Sequence, residues 1–154
     1  YDYRGKVVLL EFMQTTCEKC QTLTKMIEAR LKPKYGDKLV VLGVVVPPDT
    51  VEKVKKYIDI FKVKYPILFD SGQMVGSYVM ASPQRPAVYF PHVFLIDQSG
   101  IIKNDWQFQS ADAYKDVLTG DALIPEIDKL LAAAEASTAL KTAPKTTPKT
   151  ATKK

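Results

Sequence analysis

The chain has 154 residues, 46% of them hydrophobic, and a formal charge of +5, which suits one compact domain with an ordinary core. Lys141, Lys145, Lys149, Lys153 and Lys154 carry five of the positive charges with no acid among them, so 22 basic residues less these five leave 17 against 17 acids in the rest of the chain. A domain with no basic excess of its own excludes nucleic acid as the expected partner, and no apolar run approaches the ~20 residues of a membrane span.

The chain opens at Tyr1, and no charged-then-apolar leader precedes the first hydrophobic run. It therefore reads as a processed or trimmed chain. Val7 to Phe12 (VVLLEF) and Leu39 to Val46 (LVVLGVVV) are short, β-branched runs that read as strands buried on both faces. Between them Cys20, Leu23, Ile27 and Leu31 recur at helical spacing, and Pro33 with Gly36 predicts the helix end. Strand, helix, strand predicts a right-handed βαβ unit. After Pro47 and Pro48, Asp49 with Glu52 three residues on predicts a capping box, with the apolar stripe Val51, Val54, Ile58 and Phe61. Ile67 to Phe69 reads as a short strand, Met74 to Met80 as a brief helix, and Ala81 to Phe90 as a Pro-rich connection. His92 to Ile96 and Ile101 to Phe108 flank Asp97, Gln98, Ser99 and Gly100, the signature of a β-hairpin. Ile124, Ile127, Leu130 and Leu131 predict a C-terminal amphipathic helix. The order implies an α/β domain with a mixed sheet over residues 1–136. Residues 137–154, rich in Lys, Thr and Pro, are expected to be disordered, because they hold too little apolar surface to offset ordering entropy.

The chain has two cysteines, Cys17 and Cys20, placed directly after the first strand as Cys17-Glu18-Lys19-Cys20. At the first turn of a helix the unpaired N–H groups and the positive dipole end stabilise a thiolate. Cys17 is then the expected nucleophile. Cys20, one turn further in, is placed to resolve a mixed disulfide formed on Cys17. A structural zinc site needs about four ligands, and beyond this pair only His92 remains. A bridge closing so small a loop has little stabilising value, so redox chemistry is the expected role, with no metal or cofactor.

Arg4 to Cys20 (RGKVVLLEFMQTTCEKC), Leu39 to Val46, and Pro91 to Asp97 (PHVFLID) followed by Ser99-Gly100 together resemble the extracytoplasmic thioredoxin-like proteins of the TlpA and ResA type, within the AhpC/TSA group. The resemblance spans roughly residues 4 to 131. It implies a thioredoxin fold, a central mixed β-sheet flanked by helices on both faces, and thiol-disulfide exchange with protein substrates. It further implies a reductant outside the cytoplasm, acting as a monomer and resupplied by a membrane electron donor. Pro91 is then the implied cis-proline beside the cysteines, with an ordinary trans proline starting an edge strand as the alternative. Glu11, six residues before Cys17, matches the family's buried acid, whose raised pKa suits proton exchange with Cys20. The alternative for Glu11 is a solvent-facing or Lys-paired strand residue. His92, following Pro91, is expected near the sulfurs, tuning Cys17, binding a metal or touching substrate, with a locally bonded strand histidine as the alternative. Phe90 is expected to shape the substrate groove with the Pro83 to Tyr89 segment.

The pattern departs from the family in places. Thr16 and Met13 stand where aromatic residues are usual, and Glu18 and Lys19 replace the usual proline between the cysteines, Glu18 opposing the thiolate and Lys19 favouring it. A peroxidase of the same group carries Thr or Ser three residues before its cysteine and Pro four before that. Here those positions are Gln14 and Leu10. A copper chaperone of Sco type has wider cysteine spacing and its histidine elsewhere, and a redox-inert interaction domain with a vestigial pair is the remaining alternative.

Overall fold

The computed structural model describes residues 3–71, 74–80, 84 and 87–142, with side chains through 135. A five-stranded sheet runs in the order β3-β2-β1-β4-β5, built from β1 (Val7–Met13), β2 (Leu39–Val45), β3 (Ile67–Phe69), β4 (His92–Ile96) and β5 (Ile102–Gln107). β1 lies parallel to β2 and β2 to β3, whereas β4 is antiparallel to both β1 and β5. The sheet is therefore mixed, as expected. All seven residues of β1 are buried, because this central strand is covered on both faces.

Alternation along β1 sorts the two faces. Val7, Leu9 and Met13 point to the face that carries α1 (Glu18–Met26), α3 (Val51–Phe61) and α6 (Leu123–Thr142). Leu10 and Phe12 point to the other face, where α4 (Met74–Tyr78) packs with Val44 and Phe94. The crossovers β1-α1-β2 and β2-α3-β3 step in the same direction, so a single crossover handedness puts both helices on one side.

Pro33 does not end the first helix. A π-turn over Ile27–Leu31 follows α1, and α2 (Lys32–Tyr35) carries Pro33 in its first turn. Widening to i→i+5, as in Lys32 N–H to Ile27 O, relieves the clash that a proline ring makes with the carbonyl four residues back. The chain then turns at Gly36.

The expected capping box at Asp49 is also corrected. Thr50 is the N-cap of α3 and accepts from Lys53 N at 3.4 Å, while Asp49 bonds elsewhere. The hairpin turn matches expectation, with Asp97 accepting from Ser99 N, Ser99 Oγ and Ile101 N. A short helix absent from the sequence reading, α5 (Lys115–Thr119), stops at Gly120, whose φ of +87° favours glycine and whose absent Cβ would sit 2.8 Å from Met26 Sδ. The helix α6 continues to Thr142, past the boundary expected at 136. Residues 143–154 and half of the Pro-rich connection, including Pro83, lie outside the described residues.

Candidate functional site

Cys17 is the N-cap of α1, extended at φ −78° and ψ 114°, and its Sγ accepts from Cys20 N at 3.2 Å. Strand β1 delivers the sulfur here because Val7–Met13 ends at a four-residue loop, Gln14 to Cys17. That loop is tied at three points. Thr15 N and Thr15 Oγ1 both donate to the Asp49 carboxylate at 2.6 Å. Gln21 Nε2 donates to Thr15 O at 2.9 Å, and Gln14 Nε2 to Pro47 O at 3.2 Å.

The two thiols have opposite environments. Cys17 is half-buried and Cys20 fully buried. The hydrogen bond from Cys20 is the largest influence on Cys17 and holds its thiol down to about 6. Burial acts against this, the backbone N–H groups of Cys20 and Lys19 add to the lowering, and the Glu18 charge opposes it. Lys19 thus acts through its backbone. Burial chiefly, then the bond given to Cys17, pushes Cys20 well above the ordinary thiol range. One thiol is ionised at neutral pH and its partner holds its proton.

Glu11 lies on the cysteine-bearing face of β1 between Gly43 of β2 and Val93 of β4. It is 0% exposed, and neither carboxyl oxygen has a protein hydrogen-bond partner. Burial chiefly, then the Cys17 charge, raises its pKa well above the ordinary carboxyl range. A neutral unpaired polar group costs about 1–3 kcal/mol to bury. Its flanking neighbours Leu9, Leu10, Phe12 and Met13 are essentially fully buried, at about 1.5–3 kcal/mol each, so the strand holds the acid in place.

The Phe90–Pro91 peptide bond is cis, as is Pro47–Pro48. Phe90 packs against clusters on both faces at the sheet end, and its carbonyl lies 3.8 Å from Cys17 Sγ, accepting from it when the thiol is protonated. Cys17, Cys20, Glu11, Phe90 and Pro91 are thus brought together.

His92 is not among them, which corrects the expectation that it lies near the sulfurs. It pairs in register with Phe12, so the pleat turns it to the face opposite the cysteines. There it stacks on Phe94 with centroids 4.5 Å apart, and Nε2 meets Asp105 Oδ1 at 2.5 Å. It lines a groove with Tyr78, Met80 and Tyr89. Cys17, Cys20 and His92 therefore do not converge as a ligand set, and among the described residues no group of three or more His, Cys, Asp or Glu could hold a metal.

The sequence reading assigned Asp49 a capping role instead of its place under the cysteine loop, and did not show a buried hydroxyl cluster. Thr24 Oγ1 lies 2.7 Å from Tyr57 Oη and 3.1 Å from Tyr65 Oη. The available signal was Thr24 four residues after Cys20, on the same face of α1, and Tyr57 three residues after Val54 on the buried face of α3.

A model of the AhpC/TSA family matches residues 1–105. The thioredoxin-like protein YneN of Bacillus subtilis is 29% identical over 105 residues, 67% of this chain and 57% of that protein. The thiol-disulfide oxidoreductase ResA of Bacillus thuringiensis is 31% identical over 100 residues, 64% of this chain and 53% of that protein. Among solved structures, the thioredoxin domain of a thiol-disulfide oxidoreductase from Bacteroides vulgatus superposes with a TM-score of 0.57 at 25% identity, covering 75% of this chain and 79% of that one. The chain spans a little over half the length of the curated relatives it matches.

Proposed function

The chain belongs to the AhpC/TSA family and has a thioredoxin fold, and on that premise we propose that it is a thiol-disulfide oxidoreductase that reduces disulfides in protein substrates outside the cytoplasm. The observation that carries this reading is the division of labour between the two thiols, a half-exposed Cys17 held down to about 6 and a buried Cys20 held high beside an unpaired acid.

The Cys17 thiolate attacks one sulfur of the substrate disulfide, forming a mixed disulfide and releasing one substrate thiolate, which takes a proton from solvent. Cys20 gives its proton to the ionised Glu11 and attacks Cys17 Sγ. The mixed disulfide breaks, the Cys17–Cys20 disulfide forms, and the second substrate sulfur leaves as a thiolate that takes a proton from solvent, while Glu11 later returns its proton to solvent. The substrate gains two electrons and the protein dithiol loses two. Glu11 acts as base only in its carboxylate form, so resolution speeds up as pH rises through its raised pKa. Phe90 and Pro91, against Cys17, line the place where a substrate chain lies. A membrane electron donor that reduces the disulfide again completes the cycle. No described helix is long and apolar enough to cross a membrane.

The test is an equilibrium titration of Cys17 and Cys20 in glutathione and dithiothreitol buffers. A potential near or below about −230 mV supports the reductant, and one near about −120 mV reverses the direction. Cysteines that do not cycle reversibly remove the oxidoreductase reading altogether.

A further inference from the structure

Thr24, Tyr57 and Tyr65 come from three separate segments, α1, α3 and the loop into β3, yet their hydroxyls meet in the interior beneath the cysteines. All three residues are buried. Thr22, two residues earlier, donates its hydroxyl to Glu18 O at 3.0 Å in the ordinary helical manner, whereas Thr24 turns to the tyrosines. Gly43, which pairs with Glu11 across the sheet, makes this possible: a Cβ there would meet the Tyr65 ring at 3.3 Å.

Proton counting gives the cluster a direction. Three hydroxyls carry three hydrogens, and the two contacts through Thr24 Oγ1 use two of them, whichever way each bond points. One hydrogen is always left to donate outside the cluster. Among the described residues, the buried side-chain acceptors without a partner are the two Glu11 oxygens, His92 Nδ1 and Asn104 Oδ1. His92 lies on the opposite face and Asn104 lies on β5, beyond β4. Glu11 is on the same face as the hydroxyls, and its charge helps raise both Tyr57 and Tyr65, after burial as the main cause.

We propose that the Thr24–Tyr57–Tyr65 cluster is a positioning device that supplies the spare hydroxyl proton as a hydrogen bond to Glu11 when Glu11 ionises, directly or through one buried water. The proposal rests on Glu11 acting as the base for Cys20. In the dry interior an ionised carboxylate without a donor is strongly disfavoured, and a donor that is already oriented makes it accessible near neutral pH. The donor must come from somewhere on this face. The titratable groups around Glu11 are Cys17 and Cys20 on α1, Tyr57 on α3, Tyr65 before β3 and Tyr114 before α5, while β2 and β4 present Gly43 and Val93. Tyr114 already donates to Trp106 O at 3.2 Å.

The experiment follows the intramolecular resolution step, using protein whose Cys17 carries glutathione as a mixed disulfide and reading glutathione release against pH. The variant is Tyr57→Phe with Tyr65→Phe, which keeps both rings and leaves Thr24 to bond the Cys20 carbonyl as Thr22 bonds Glu18. The pH limb should move up by about one unit, close to a tenfold loss of rate at a pH below it. The sign separates the two roles. A cluster that merely packs, once disturbed, admits water and moves the Glu11 limb down, so a downward shift or no shift overturns the proposal. Should the double variant not fold, at least one of the two single variants must move the limb up, read also by infrared titration of the Glu11 carboxyl band. Glu11→Gln is the companion arm. If it leaves the limb in place, the reading of Glu11 as base falls, and the cluster's role with it. If it abolishes the limb while the tyrosine variants leave the limb where it was, only the cluster's role falls.

Discussion

Replacing Cys20 with alanine should raise the Cys17 thiol from about 6 to about 7. The hydrogen bond from Cys20 is the largest influence holding Cys17 down. Bonds to charged groups contribute about 1.5–3 kcal/mol, but a thiol is a weak donor and Cys17 is half-open to solvent. The low end therefore applies, close to one pKa unit at 1.36 kcal/mol per unit. The backbone N–H groups of residues 19 and 20 survive the substitution and keep the thiol below its ordinary value. At pH 7 the thiolate fraction should fall from about nine-tenths to about half. The assay is absorbance at 240 nm against pH, with iodoacetamide alkylation at pH 7 slowing about twofold alongside. Cys20→Ser, which retains an O–H donor, should titrate between the wild type and the alanine variant. If Cys20→Ala still titrates at about 6, the helix terminus alone sets the thiolate and the thiol pair is not the controlling contact.

Further expectations concern the surroundings of the pair. Glu11 is raised in the folded state, so its contribution is fully present below the ordinary carboxyl range and is lost as pH rises through the folded value. Urea denaturation of the wild type should therefore weaken between pH 5 and pH 9 by at least about 1 kcal/mol more than that of Glu11→Gln, and parallel pH curves would contradict the burial argument. Asp49→Ala strands Thr15 N and Oγ1, and should lower stability by about 2 kcal/mol, with Asp49→Asn intermediate by thermal melting. His92→Phe should leave the Cys17 titration where it stands, because the ring is on the other side of the sheet. A shift of half a unit or more there would mean the pleat has been assigned to the wrong face.

The strands, the hairpin and the start of α1 were legible because burial on two faces, turn chemistry and the position of Cys17 after β1 leave local signatures. Other features depend on what residues meet in space. Asp49 looks like a helix cap until two donors from Thr15 outcompete the α3 terminus. His92 looks close to the sulfurs because it follows Pro91, but register with Phe12 settles its face, and register is not local. Thr24, Tyr57 and Tyr65 are unremarkable members of three apolar stripes, and only packing brings their hydroxyls together. Helix α5 is too short to show a period. Pro33 reads as a stop because its local penalty is certain, whereas the π-turn that accommodates it is not encoded by any single residue.

That π-turn also governs alignment. Cys20, Leu23, Ile27, Leu31 and Tyr35 are spaced by three, four, four and four residues, and on a regular helix of 3.6 residues per turn the stripe would wander by about 60° from first to last. The wider turn at Ile27–Leu31 unwinds that drift, so the same rod that presents Cys17 at one end delivers Tyr35 to Asp128 of α6 at 2.8 Å at the other. Drawing this stretch back into a regular α-helix without removing a residue would turn its far half by about 60° away from α6, leaving the nucleophile in place and detaching its anchor.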